Sequence, residues 1–397
     1  MLKLDGARDI SRVLAIWTMA IALAATGGSS AFAQPAPAPA QHSPARPAVA
    51  IPSIVVDVGT GQVLSQENAF ARWYPASLTK LMTAYVTFRA LASGQVTLNS
   101  PVRMTVNASK EPPSKMGYKP GSVMTLDTAL TIMLVKSAND VAVAVGEAIG
   151  GTEAGFVKRM NAEAQRLGMF GTHFANPNGL QDPNNYSTAR DLAVLATQIR
   201  REFPQYAHYF STEAIDPGQG KKITANYNIL LGRFDGSDGM KTGFVCASGF
   251  NLAATATRNR RTILAVVLGE PSQESRAVKA AQLLTQGFQS TGAGAETLAT
   301  LRPYGAHLAQ VTDMRAALCS QQALADRWDG RDVEGKLKLN SPYIHAMAGE
   351  PKAVQVGLIG AAQAPKPGVI NISQVPVPQP RPSLVPRAAQ AVTNQGG

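Results

Sequence analysis

Between residues 51 and 290 the spacing of apolar positions changes along the chain, and each change predicts a different element. Ser53-Ile54-Val55-Val56-Asp57-Val58, a Gly59-Thr60-Gly61 turn and Gln62-Val63-Leu64 predict a β-hairpin. From Leu78 the apolar residues fall at 78, 81, 82, 85 and 86, which is one face of a helix. Pro75 suits the entrance of that helix, and Ser77 stands where an N-cap belongs. Residues 126–149 are again helical in pattern, with a break at Lys136-Ser137-Ala138-Asn139-Asp140. Residues 174–187, with Pro177, Gly179 and Pro183, read as a long loop, after which a helix resumes over 188–201.

The period then shortens. Phe250, Leu252, Ala254 and Ala256 alternate as in a half-buried strand, and Arg258-Asn259-Arg260-Arg261 makes a polar turn. Residues 262–268 form a continuous apolar run, as expected of a central strand. Ala277, Ala281, Leu284 and Phe288 mark a closing helix. Strands at both ends of 51–290 with helices between them predict an α+β domain, an antiparallel sheet flanked by helices with a helical subdomain inserted. Beyond 290 the pattern weakens to an extension (291–350) with one amphipathic helix over 312–328 that carries Cys319. Residues 351–397 contain no acidic side chain and crowd seven prolines into 365–386, so a basic, disordered tail is expected.

The N-terminus changes the picture of where the chain resides. Lys3, Arg8 and Arg12 precede an apolar run over 13–25, too short for a bilayer core that needs about 20 residues. Ala31-Phe32-Ala33 then fits a signal-peptidase site, so residues 1–33 read as a signal peptide, with an uncleaved anchor as the alternative. Residues 34–50 hold eleven Pro or Ala and read as a semi-rigid linker. The expected product is exported, periplasmic or otherwise extracytoplasmic, and soluble.

Charge matters only once that address is known. The net charge of +11 would suggest nucleic acid in an intracellular protein, whereas outside the cytoplasm lipid headgroups or wall polymers are the anions at hand. No nucleic-acid partner is therefore expected, and peripheral membrane contact stays open. Five histidines and two cysteines, with no HExxH, give no metal site. In an oxidising compartment Cys246 and Cys319 are either bonded to each other or two separate thiols, depending on the approach of their Cα atoms.

Three short motifs carry chemistry. Ser77-Leu78-Thr79-Lys80 places a hydroxyl and an amine one helical turn apart, where a neutral lysine can take the serine proton. Ser137-Ala138-Asn139 offers a second hydroxyl and an amide in the helix break, and Lys241-Thr242-Gly243 offers a cation and a hydroxyl for a carboxylate. Each alone has an ordinary structural explanation, but together they occur in order, 60 and then 104 residues apart. That set resembles the S-x-x-K, S-D-N and K-T-G signature of penicillin-binding proteins and class A β-lactamases.

With Pro75-Ala76-Ser77-Leu78-Thr79-Lys80, Lys136-Ser137-Ala138-Asn139-Asp140, Asn176-Pro177-Asn178-Gly179-Leu180 and Asp238-Gly239-Met240-Lys241-Thr242-Gly243-Phe244, residues 51–290 closely resemble the serine-type D-alanyl-D-alanine carboxypeptidases. The resemblance implies a β-lactamase/transpeptidase-like catalytic domain and a peptidoglycan stem peptide as substrate. It implies Ser77 as nucleophile, Lys80 as general base, Ser137 as proton relay and Asn139 as the group holding Lys80 and the peptide. Lys241, Thr242 and Gly243 would bind substrate, and the backbone N–H groups of Ser77 and Phe244 would form the oxyanion hole. β-Lactam antibiotics would be covalent inhibitors, and no cofactor is implied. A cross-link endopeptidase would use the same motifs. A β-lactamase is disfavoured because residues 164–201 hold no glutamate, and a non-catalytic wall-binding module is disfavoured by the intact Ser77/Lys80 pair.

Overall fold

Hydrogen bonding joins the two ends of the 51–290 region into one sheet. The computed structural model describes residues 50–218, 220–292, 296–305, 308–324, 339 and 341–359. Strands β1 (Ser53–Asp57) and β2 (Val63–Glu67) form the expected antiparallel hairpin. A 3-10 turn, Ala76–Leu78, leads into α1 (Thr79–Ala92). The apolar spacing predicts one buried face for α1, yet residues 79–88 are buried all round. Two of the hydroxyls that this sinks are paired with main chain, whereas Thr79 Oγ1 has no partner among the described residues. Thr83 Oγ1 donates to the Pro177 carbonyl at 2.6 Å, and Thr87 Oγ1 donates to the Thr83 carbonyl at 2.8 Å.

A two-stranded ribbon follows, β3 (Pro101–Arg103) with β4 (Val123–Thr125), and between them lies the single turn α2 (Val106–Ser109). Helices α3 (Leu126–Val135) and α4 (Asn139–Gly150) flank the expected break. Next, α5 (Glu153–Arg166) and α6 (Ala189–Glu202) are N-capped by the hydroxyls of Thr152 and Thr188. The short α7 (His208–Ser211) precedes β5 (Ala214–Asp216) and β6 (Thr224–Ala225). The chain then returns as β7 (Ser237–Val245), β8 (Gly249–Arg258) and β9 (Arg261–Glu270), closed by α8 (Gln273–Gln289).

The sheet order is β2-β1-β9-β8-β7, with every neighbouring pair antiparallel. Its central strand is β9, as the apolar run over 262–268 implies, and β7 is an edge. Leu284 and Ala277 of α8 pack on one face with Ile263 and Ala265, while Leu81 and Phe88 of α1 belong to the core on the other with Val266 and Leu268. This is the expected α+β arrangement, with the inserted helices gathered on the α1 side.

Two expectations beyond residue 290 are corrected. Among the described residues of the helix expected over 312–328, those at 312–324, only α9 (Arg315–Leu318) and a turn at 321–324 are helical, and the chain bends at Cys319. The cause is tertiary. Cys319 is bonded to Cys246 in the β7–β8 turn with Cα atoms 5.7 Å apart, and the Met314 N–H donates to the Ala247 carbonyl at 2.9 Å. Leu318 packs so closely on Gly249 that a Cβ there would lie 2.6 Å from Leu318 Cδ1. Second, within the stretch expected to be disordered from 351, β10 (Ala353–Gln355) runs parallel to β5. Its side chains are exposed, so it extends a ladder without building a core. The expected signal peptide, the linker up to residue 49, residues 325–328 and the tail from 360 lie outside the described residues. Among the described residues no helix is long and apolar enough to cross a membrane.

The disulfide closes a separation of 73 residues. Replacing Cys246 and Cys319 together by serine should lower the unfolding free energy by about 2–4 kcal/mol, read from urea titrations of the oxidised wild type and the double variant. Equal midpoints would mean that the bond does not constrain the unfolded chain.

Candidate active site

The approach to α1 is fixed before the helix begins. Asn251, fully buried on β8, donates through Nδ2 to the carbonyls of Tyr74 at 2.9 Å and Pro75 at 3.2 Å, while its Oδ1 accepts the Gly269 N–H. The turn that follows holds Ala76 at φ +49°, in the left-handed region. Ser77 is not the expected N-cap. It lies inside the 3-10 turn, α1 starts two residues later, and neither cap position carries a side-chain cap bond. The Ser77 hydroxyl is left for Lys80, whose Nζ is 2.9 Å away.

Lys80 is fully buried. Its Nζ donates to Asn139 Oδ1 at 2.8 Å and to the Asn178 carbonyl at 2.6 Å. Both oxygens can only accept. A neutral amine that spends its two hydrogens on them keeps its lone pair for the Ser77 proton. Burial holds the Lys80 amine well below the usual lysine range, with Lys241 as the second cause, while Glu111 and Asp140 act in the opposite direction. Repulsion from Lys241 is therefore present but secondary to desolvation.

Asn139 opens α4 and is itself held: its N–H donates to the Ser114 carbonyl at 2.7 Å and its Nδ2 to the Pro112 carbonyl at 3.0 Å. Ser137, two residues earlier, has φ +62° and lines the same cleft as Ser77. Such a conformation costs a serine about 1–3 kcal/mol, which the surrounding packing must offset. On the opposite side the Asn178 carbonyl is aimed at Lys80 by a turn in which Asn176 Oδ1 accepts the Gly179 N–H at 2.7 Å. Gly179 sits at φ +83°, and a Cβ there would come 1.9 Å from the Ala76 oxygen. Only glycine lets this loop lie under the Ser77 turn.

Lys241, Thr242 and Gly243 reach the site along the edge strand β7. A Cβ on Gly243 would lie 2.8 Å from the Pro75 oxygen and 3.0 Å from the Ser77 nitrogen, so the two backbones touch. Thr242 and Phe244 line the cleft with Ser77, and the Phe244 ring stacks on Phe250 at 4.2 Å. Lys241 is buried and donates to the Thr242 carbonyl at 3.1 Å. Burial, then Arg276, pushes its amine down to about 7.

The cleft, of about 300 Å³, also exposes a group that no sequence motif announced. Arg276, in the first turn of α8, is buried and held by the carbonyls of Asn251 at 3.3 Å and Tyr227 at 3.1 Å. Its Nε has no partner, no carboxylate pairs with it among the described residues, and burial pushes it down to about 10. The Asn178 carbonyl and Asn251 were likewise not anticipated. Asn178-Gly179 is a recognisable turn signal, but nothing in it says that the carbonyl faces a lysine 98 residues earlier. All the motif residues named from the sequence converge: Ser77, Lys80 and Asn139 through hydrogen bonds, Ser137 and Thr242 to Phe244 along the cleft, and Lys241 beside them. The assembly provides a nucleophile with a dry base, a second hydroxyl, and cations suited to a carboxylate.

The sequence profile described as D-alanyl-D-alanine carboxypeptidase matches residues 40–272. The D-alanyl-D-alanine carboxypeptidase DacA of Haemophilus influenzae is 35% identical over 252 residues, covering 62% of this chain and 63% of that protein. DacF of Bacillus subtilis is 31% identical over 238 residues, covering 59% and 61%. The chain thus spans somewhat less than two thirds of the length of these relatives. Among solved structures, penicillin binding protein 5 of Haemophilus influenzae has 34% identity and a TM-score of 0.57, over 62% of this chain and 72% of that one. Penicillin-Binding Protein D2 of Listeria monocytogenes, in its ampicillin-bound form, has 27% identity and a TM-score of 0.53, over 61% and 100%.

Gly179→Ala tests the close approach beneath the nucleophile. The added methyl cannot be accommodated at the Ala76 oxygen, so the variant should lose on the order of 2 kcal/mol or more of stability, seen as a lower thermal midpoint. A midpoint equal to that of the wild type would contradict the packing described.

Proposed function

Because this chain belongs to the D-alanyl-D-alanine carboxypeptidase family, we propose that it removes the terminal D-alanine from peptidoglycan stem pentapeptides through a serine acyl-enzyme. The observation that carries this reading is the fully buried Lys80 amine, 2.9 Å from the Ser77 hydroxyl and satisfied on its other side by two acceptors. The terminal carboxylate docks on Thr242 and Lys241. Arg276, a buried cation without a carboxylate partner among the described residues, adds a third contact at the same end of the cleft.

Ser77 Oγ attacks the carbonyl of the penultimate D-alanine while Lys80 accepts its proton. The oxyanion forms between the backbone N–H groups of Ser77 and Phe244; the approach of Gly243 to the Ser77 nitrogen supports this pairing. Each such donor is worth about 2.7–4 kcal/mol in the transition state. Collapse breaks the amide C–N bond, and the departing amine receives the proton from Lys80 by way of the Ser137 hydroxyl. Water then attacks the ester, giving its proton to Lys80, and Ser77 is released protonated. β-Lactams present a comparable acyl group and carboxylate and acylate the same serine. A peptidoglycan substrate supports an extracytoplasmic location, as the expected signal peptide does. The relatives are named as carboxypeptidases, so the cross-link endopeptidase reading is not adopted.

Incubation with a stem pentapeptide should yield tetrapeptide and free D-alanine by mass analysis, and a fluorescent penicillin should label the protein. Ser77→Ala should abolish both, and Lys80→Gln should slow acylation by about 100- to 10,000-fold. D-Alanine release that persists in Ser77→Ala would overturn the assignment.

A further inference from the structure

The surroundings of Lys80 are organised by one short segment before α3. The Glu111 carboxylate accepts from Asn178 Nδ2 at 2.8 Å. One residue on, the Pro112 carbonyl accepts from Asn139 Nδ2, and the Ser114 carbonyl accepts the Asn139 N–H. Asn139 and Asn178 are the two residues whose oxygens hold the Lys80 amine. Asn178 is buried, and its Oδ1 takes the Leu180 N–H at 2.9 Å, so its side-chain amide is fixed at both ends.

We infer that Glu111 is a positioning residue for the reaction proposed above: through Asn178 it fixes the acceptor that aims the Lys80 amine, and its charge strengthens that amine as a base. The inference rests on the Ser77–Lys80 reading. Its logic is electrostatic. A lysine buried beside a second cation is readily neutral but a weak base, and general-base catalysis is best when the base titrates near the working pH. A carboxylate in direct contact would lock the amine in its charged form. One separated from it by an asparagine restores basicity without forming an ion pair.

The charged groups facing this pair are few among the described residues. Glu111 is flanked in sequence by Lys110 and, further on, Lys115, and it feels Glu153 of α5, Asp140 and Lys80. Burial, then Glu153, raises it above the ordinary carboxylate range. Asp140, the other acid near Lys80, has its carboxylate engaged by the N–H groups of Met116, Gly117 and Val141. Lys241 is the opposing cation.

The test is the rate constant for acylation of Ser77 by a fluorescent penicillin across pH, in the full chain, for wild type, Glu111→Gln and Glu111→Asp, with thermal midpoints confirming that each is folded. Glutamine keeps an oxygen for Asn178 but loses the charge. With less negative potential, Lys80 deprotonates at lower pH, so the acid limb should move down by roughly half to one pH unit and the plateau should fall about 3- to 10-fold. Aspartate, which retains the charge, should keep the wild-type limb. A Glu111→Gln profile that superposes on the wild type, or an Asp variant whose limb moves as far as that of Gln, overturns the role of Glu111. A wild type that is not labelled at all strikes instead at the catalytic reading itself, and this inference falls with it.

Discussion

A desolvated lysine amine is the constraint around which the rest of the structure is arranged. Removing an ammonium from water is so unfavourable that a buried lysine either pairs with an acid or gives up its proton. Lys80 contacts no carboxylate among the described residues. Its neighbours are two carbonyl-type oxygens and a hydroxyl; once burial removes the charge, the two oxygens take the amine's hydrogens and its lone pair is left for the Ser77 proton. That choice fits the burial of residues 79–88 of α1 on all sides, because water there would restore the charge. It also explains why the hydroxyls of Thr83 and Thr87 are turned onto main-chain carbonyls.

Keeping the amine dry requires distant segments to meet closely, and the meeting points are where side chains have been removed or twisted. Gly179 slides beneath the Ala76 carbonyl and Gly243 touches the backbone around Ser77. Ala76 and Ser137 both hold positive φ, a conformation that local preference alone would not select. Asn251 joins the segment before Ser77 to the centre of the sheet. Behind the edge strand that carries Lys241 to Phe244, the Cys246–Cys319 bond and the Met314 contact hold the segment after residue 308 against the β7–β8 turn.

What the sequence made legible divides along physical lines. Alternation located β8, apolar runs bounded by turns located β1 and β9, and helical patterns located α1, α3, α4, α6 and α8, because each of these buries a large apolar surface. The three motifs located the chemistry, because residue type and order suffice for groups that react. Contacts made by backbone atoms were invisible: the Asn178 carbonyl and the edge pairing of β10 depend on tertiary position and leave no compositional trace. Arg276 escaped notice because a lone arginine in a helix looks like any solvated cation until burial is known. The 312–328 helix failed for the opposite reason, since Cys319 and Leu318 are drawn onto the β7–β8 turn and local propensity yields to that contact.

The protonation state of Lys80 in the unliganded protein is the quantity on which the account turns. It is directly measurable by NMR titration of protein labelled at the lysine side-chain carbon next to nitrogen, with the Lys80 signal assigned by its disappearance in Lys80→Gln. The account predicts a resonance that titrates well below the ordinary lysine range, separate from the exposed lysines. A Lys80 signal that titrates together with the exposed lysines would contradict it.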